Sequence, residues 1–324
     1  MTTLTKAKFL PREQSTLFPA PLRTALEVVF KTSLFTIHPL AGGIQPRTFL
    51  VSTNKDFWVV RVDPAPATGL QRALAAQQQA QAAGFPTPAL VTRDHTITNG
   101  VDYYWSVEEF VQGAPFDPAS FDALTRAHIA RQVGTQLRKL HRVELPAFGL
   151  LPPNAADQAP TLAIWLNTRR ARLERARSLL PNLANLPERL TAALATLQTY
   201  RGPSCLCHGA LAGANLLVHE QQLAATVGWE QAQGADPALD FGWWYFQHND
   251  EATLTAMIEG YAPADATTFT QRVLAYALIH ALETLLLYQS EENAQGSHAC
   301  REKLQQYCSQ VAAPHEGGGE KSKI

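Results

Sequence analysis

Residues 21–31 place apolar side chains at Leu22, Leu26, Val29 and Phe30, the spacing of one face of a helix. The pattern then shortens. Residues 37–40, 48–52 and 57–62 are runs rich in β-branched and aromatic side chains, divided by turn chemistry at Ala41-Gly42-Gly43 and Thr53-Asn54-Lys55-Asp56, and they predict successive antiparallel strands. Residues 70–83 are mostly Ala, Gln and Leu, good helix formers, and Gly84 followed by Pro86 and Pro88 closes the predicted helix. Two more strands are expected over 89–92 and 103–111. Helical spacing takes over afterwards: Ile129, Val133, Leu137 and Leu140 line one face of a helix over 121–143. Residues 168–177 form an arginine-rich helix. The apolar run 273–288 reads as a buried helix, since it falls short of the roughly 20 residues a bilayer span needs and is interrupted by His280 and Glu283.

Composition narrows the function classes. The chain has 324 residues, enough for about two domains of ~150 residues. Hydrophobic residues make up 46% and the formal net charge is -1, so nothing draws the whole surface toward nucleic acid or anionic membrane. Neither partner is expected. Cys205, Cys207, Cys300 and Cys308 fall outside the common zinc and redox spacings, and no cleavable apolar leader opens the chain, which points to free thiols in a reducing cytoplasm. Residues 313–324 lack apolar anchors and are expected to form a disordered tail.

The candidate chemistry lies in two segments, His208-Gly209-Ala210-Leu211-Ala212-Gly213-Ala214-Asn215 and Val227-Gly228-Trp229-Glu230. They resemble the aminoglycoside phosphotransferase and choline kinase-like family, in which the first reads His-Gly-Asp-x-x-x-x-Asn and the second apolar-Asp-Trp-Glu. Further segments between about residues 35 and 288 carry the resemblance: the glycine-containing loop around Gly42-Gly43, the strand Trp58-Val59-Val60-Arg61-Val62, the stretch Glu108-Glu109-Phe110-Val111-Gln112-Gly113, the pair Leu140-His141, and Asp236-Pro237-Ala238-Leu239-Asp240. The resemblance implies an α+β chain with a bilobal protein kinase-like fold, its small N-lobe an antiparallel sheet with helices over 1–107, a hinge at 108–113, and a larger, mainly helical C-lobe over 114–312.

The same resemblance implies a nucleotide subsite. Backbone amides at Gly42 and Gly43 would approach phosphates, Arg61 would grip one, and Glu108, Glu109 and Phe110 would hold an adenine by their backbone. His208 and His141 would brace the fold, and Asn215 is the one remaining, weak metal ligand. The chain departs from the family where the chemistry is done. Ala210 and Gly228 replace the two aspartates, and Ala73 stands where a helical glutamate pairs with the basic residue of the strand. A methyl group cannot accept a proton, and glycine offers Mg²⁺ no oxygen. A pseudokinase is therefore expected, requiring no cofactor, with Mg²⁺ binding weak or absent and ATP binding left open. Its partner would be a protein or a small-molecule ligand. Without its glutamate, Arg61 is expected to be disordered, to bind an anion directly, or to lie as a snorkelling surface residue on a strand edge. The alternative is a small-molecule phosphotransferase with re-sited carboxylates among Glu230, Asp236 and Asp240, Glu230 first because residues two apart on a strand share a face, or another nucleotide-dependent transfer on the same fold. Asp240-Phe241-Gly242 imitates a metal-binding signature but follows the vacated position too late to serve it. Arg169, Arg170, Arg172, Arg175 and Arg177 form a solvated face or a dock for an acidic partner.

Overall fold

The computed structural model describes residues 20–40, 47–152, 158–183 and 185–310. Gly42, Gly43 and the tail lie outside them. Helix α1 (Ala20–Phe30) is followed by strands β1 (Phe35–Pro39), β2 (Arg47–Thr53) and β3 (Phe57–Pro64), helix α2 (Thr68–Ala82), and strands β4 (Leu90–Thr98) and β5 (Val101–Glu109). The strands form one antiparallel sheet in the order β1-β2-β3-β5-β4. Leu22 and Leu26 of α1 pack on one face of it, against Phe35, Phe49, Val51, Val60, Val62, Trp105 and Val107.

That packing decides where the polar residues go. Side chains alternate across a strand, so if Val60 and Val62 face α1, Arg61 between them faces the other way. The same holds in β5, where Trp105 and Val107 face α1 and Ser106 and Glu108 turn away. Arg61 lies directly opposite Ser106 in the β3–β5 register, and Val59 opposite Glu108. Burying one apolar face thus assembles Arg61, Ser106 and Glu108 on the other. Strand β5 ends at Glu109, two residues before the end of the strand expected over 103–111, so Glu108 and Glu109, also expected in the hinge, belong to the sheet.

The larger lobe contains β6 (Ala114–Pro115), α3 (Ala123–Leu140), β7 (Glu144–Leu145), β8 (Gly149–Leu150), α4 (Leu162–Ser178), α5 (Leu186–Leu197), β9 (Ser204–Cys207), β10 (Leu216–His219), β11 (Gln222–Thr226), β12 (Gln233–Ala235), α6 (Ala238–His248), α7 (Glu251–Tyr261), α8 (Ala266–Ser290) and α9 (Ala294–Gln310). Its short strands form two small sheets, β11-β10-β6 and β7-β9-β12-β8. The core around Trp165, Trp229, Phe241, Trp244 and Tyr276 also takes in Ala73, Ala76 and Ala80 of α2. By packing, α2 is a bridge between the lobes.

Helix α8 is longer than its apolar run because the Asp265 carboxylate caps it, accepting from the Thr268 amide at 3.1 Å, and a polar first turn precedes the apolar stretch. With 25 residues it is long and apolar enough to cross a membrane, and 56% of its apolar window is buried inside the protein. Helices α3 and α7 approach through glycines on both sides. A Cβ at Gly134 would lie 1.9 Å from the Met257 carbonyl oxygen, and one at Gly260 would lie 2.1 Å from that of Arg131. Backbone atoms cannot step aside there. Gly134→Ala is expected to lower stability by about 1–3 kcal/mol, the usual penalty of overpacking. An unchanged urea midpoint in the variant would show that the two helices are not held at this distance.

Candidate functional site

Arg61 is the centre of the cleft between the lobes. It is 6% exposed, and its guanidinium donates to Glu108 Oε1 at 3.4 Å and pairs with Glu230 Oε1. Glu108 accepts further hydrogen bonds from Ser106 Oγ at 3.2 Å and Gln77 Nε2 at 3.1 Å. The expectation that Arg61 is a surface residue, or a cation left without a partner by Ala73, is corrected here: two carboxylates share it. Ala73 is fully buried among apolar side chains, and the α2 residue that reaches the cluster is Gln77, one turn later on the same helix face. The signal was present in the sequence as a Gln four residues after the vacated position.

Glu230 arrives by a route the sequence did not suggest. Residues Trp229–Gln231 form a 3₁₀ turn, so Glu230 and residue 228 do not share a strand face. The turn is pinned by Trp229, fully buried, whose Nε1 donates to the Thr226 carbonyl at 3.0 Å and whose ring meets Phe85 edge-on at 5.6 Å. Arg72 ties the turn to α2, donating to the Glu230 carbonyl at 2.6 Å and to the Leu151 carbonyl at 3.1 Å. A cavity of about 410 Å³ opens beside this turn, lined by Asp63, Thr68, Gly69, Arg72, Glu230 and Gln231 among others.

The loop that resembles a catalytic loop is held from below. Asp240, in the first turn of α6 and fully buried, accepts from the His208 amide at 2.9 Å, the Gly209 amide at 2.8 Å and His141 Nε2 at 3.0 Å. Gly209 has φ +78°, and a Cβ on it would lie 2.0 Å from the Gln231 carbonyl oxygen. Only glycine fits. His208 is fully buried; its Nε2–H donates to the Val227 carbonyl at 2.9 Å, leaving Nδ1 to accept from the Ala210 amide at 3.3 Å. Both ring nitrogens are spent on backbone. His141, Cys207 and Asp240 bring three donor atoms within 4.8 Å of one another. These are already bonded to each other or to the backbone, Cys207 Sγ to the Asp236 carbonyl at 3.7 Å.

Asn215 stands against Gly228. Its Nδ2 donates to the Ala210 carbonyl at 2.9 Å, and a Cβ built on Gly228 would lie 2.6 Å from its Oδ1. The side chain of Asn215 thus fills the space an aspartate at 228 would enter. With a methyl at Ala210, none at Gly228 and one neutral amide between them, the residues present do not fit a Mg²⁺ ion, which requires several oxygen ligands in octahedral geometry. Two residues expected to help hold an adenine stand apart from this cluster. Glu109 is exposed, with its amide donating to the Ala89 carbonyl at 2.9 Å, and the Phe110 ring packs on Phe57 at 5.8 Å, at the rim.

Residues 36–275 match the model of the phosphotransferase enzyme family. Among solved structures, the chain is similar to the aminoglycoside phosphotransferase APH(4)-Ia at 15% identity, covering 91% of this chain and 100% of that one with a TM-score of 0.67. A thermostable mutant of that protein, in ternary complex with ADP and hygromycin B, gives 16% identity, 91% and 100% coverage and a TM-score of 0.65. The wild-type aminoglycoside 2'-phosphotransferase-IIIa in complex with GDP gives 16% identity, 89% and 98% coverage and a TM-score of 0.63. No curated protein matches the chain.

The buried groups beneath the loop make stability depend on pH. Burial, then the charge of Arg169, pushes the His280 imidazole down to about 3, and burial lowers His208 against the pull of Asp240. Burial raises the Asp240 carboxyl, but His141, His208 and the Gly209 amide outweigh it and hold it low. Unfolded histidines take up protons near pH 6.5 and these two do not, so their contribution is complete above about 6.5 and shrinks as the pH falls. Asp240 adds loss in the same direction below about pH 4. Denaturation midpoints should fall from pH 7 to pH 5, with a shallower slope in His280→Leu; equal slopes would refute the assignment. A second expectation concerns Gly228, whose φ of +80° an Asp adopts at modest strain. Gly228→Asp should destabilise through its left-handed backbone and through Asn215, and Asn215→Ala should relieve the second part, with a coupling of about 0.5–3 kcal/mol in a double-mutant cycle. Additive effects would mean that Asn215 is not the obstacle.

Proposed function

Because the chain belongs to the phosphotransferase enzyme family, matching its model over residues 36–275, and carries Ala210 and Gly228 where the chemistry requires carboxylates, we propose that it is a pseudokinase: a kinase-like fold that binds a ligand or partner without phosphoryl transfer. The observation that carries this reading is the Asn215 side chain packed against Gly228. Phosphoryl transfer is almost entirely positioning and charge neutralisation, so a site with neither metal ligands nor a proton acceptor lacks both contributions. The missing proton acceptor alone removes about 10²–10⁴-fold in rate. The clamp cation points the same way. Arg61 is outnumbered by Glu108 and Glu230, and the cleft presents no net positive charge there to a triphosphate.

Backbone recognition of a nucleotide survives such changes, and relatives have been solved with ADP and with GDP, so a metal-independent nucleotide or another small molecule is the first class of ligand to try. A protein partner is the second. The four free, buried cysteines suit a reducing cytoplasm. In calorimetric titration with ATP, binding should be weak and the same with Mg²⁺ as with EDTA, and no ADP should accumulate on prolonged incubation with Mg²⁺. Turnover abolished by Glu230→Gln would replace this reading with a phosphotransferase whose carboxylate has been re-sited.

A further inference from the structure

Strand β4 is the outer strand of the small-lobe sheet, and among the described residues it pairs with β5 alone. Its turn tells which of its backbone groups face outward. Asn99 and Gly100, with φ of +51° and +77°, join Thr98 to Val101 in a two-residue hairpin, whose flanking pair is hydrogen-bonded. Such pairs alternate along an antiparallel ladder, so Asp94 and Thr96 turn their amides and carbonyls toward β5, while Arg93, His95 and Ile97 turn theirs outward. An open edge of this kind is a template for another strand. Its apolar side chains are open as well, Val91 being 46% exposed and Ile97 67%.

The strand is matched to itself. Reversed about Asp94, Thr92 meets Thr96, Arg93 meets His95 and Val91 comes beside Ile97. A two-fold axis through Asp94 would therefore join two copies edge to edge, with hydrogen bonds exchanged between Arg93 and His95. On the axis stands the unfavourable pair, two Asp94 carboxylates facing each other. In the single chain that carboxylate already occupies the edge: Asp94 Oδ1 accepts from the His95 amide at 2.8 Å and lies 3.6 Å from His95 Nδ1, taking the donor that an added strand would need. We propose that β4 is a self-association edge, fitted to a second copy of this chain in antiparallel register about Asp94, and that the Asp94 carboxylate holds it closed. Charge on an edge strand is one of the devices by which sheets avoid pairing with other chains. Two nine-residue strands alone bury less than the ~1,200 Å² at the lower end of stable interfaces, so one pair of like charges is enough to keep the copies apart. This pairing calls on no residue of the Arg61 cluster or of the His208 loop.

Sedimentation velocity of the full chain tests the guard. At matched concentration Asp94→Ala should sediment as a larger species than the natural protein, and Ile97→Lys added to it should restore the natural profile, because a lysine on an edge strand blocks pairing. The register has its own test. Asp94→Cys sets a thiol on the axis, where the facing Cα atoms of a non-hydrogen-bonded pair lie about 4.5 Å apart, within disulfide reach. Under mild oxidation it should form a covalent dimer at least tenfold faster than Arg93→Cys, an equally open position whose thiol would face His95 of the second copy instead of its own mate. Identical sedimentation of the natural protein and Asp94→Ala, a larger species that survives Ile97→Lys, or equal coupling rates of the two thiols overturns the proposal.

Discussion

The structure depends on one buried carboxylate. Asp240 has no contact with water and accepts from two successive amides and an imidazole, and breaking a buried, charged hydrogen-bond network of this kind is among the more damaging changes a fold can suffer. What it holds is the His208-Gly209 turn. That turn fixes Ala210, which supplies the carbonyl for Asn215, and Asn215 in turn stands against Gly228. A chain of short contacts thus runs from the interior of the large lobe to the floor of the cleft. The loop keeps its shape from below, independently of anything its upper surface does.

This separation accounts for a scaffold that persists while the groups above it change. Ala210 and Gly228 bear no weight in the network: each is joined to it by backbone alone. The charged residues that remain in the cleft answer to one another. Arg61 draws Glu230 across from the large lobe, and α2 packs alanines into the core and offers Gln77 to Glu108. Neutral hydrogen bonding and one shared cation hold this cluster together.

Much of this was legible in the sequence. Strand alternation alone predicts that Arg61 and Glu108 face away from α1, and the register of His208, Gly209 and Asn215 against Trp229 and Glu230 was enough to place the two loops. Three things were not. The 3₁₀ turn at 229–231 is imposed by the burial of Trp229 and by Arg72, tertiary contacts with no local signature, so a strand reading of Glu230 gave the right destination for the wrong reason. The collision between Asn215 and Gly228 needs a φ angle and a distance. The side-chain role of Glu108 was hidden because hinges are read for their backbone, although the strand expected over 103–111 already contained this residue.

Helix α2 has one more consequence. Ala73, Ala76 and Ala80 belong to the large lobe's core, whereas the sheet and α1 keep a separate core of their own. Sequence order assigns α2 to the small lobe; mechanics assigns it to the large one. The boundary between the two cores therefore runs beneath the sheet, along the polar layer of Arg61, Ser106, Glu108 and Gln77. The side chains that meet along this seam are charged and amide groups, each bonded to Arg61 or to Glu108.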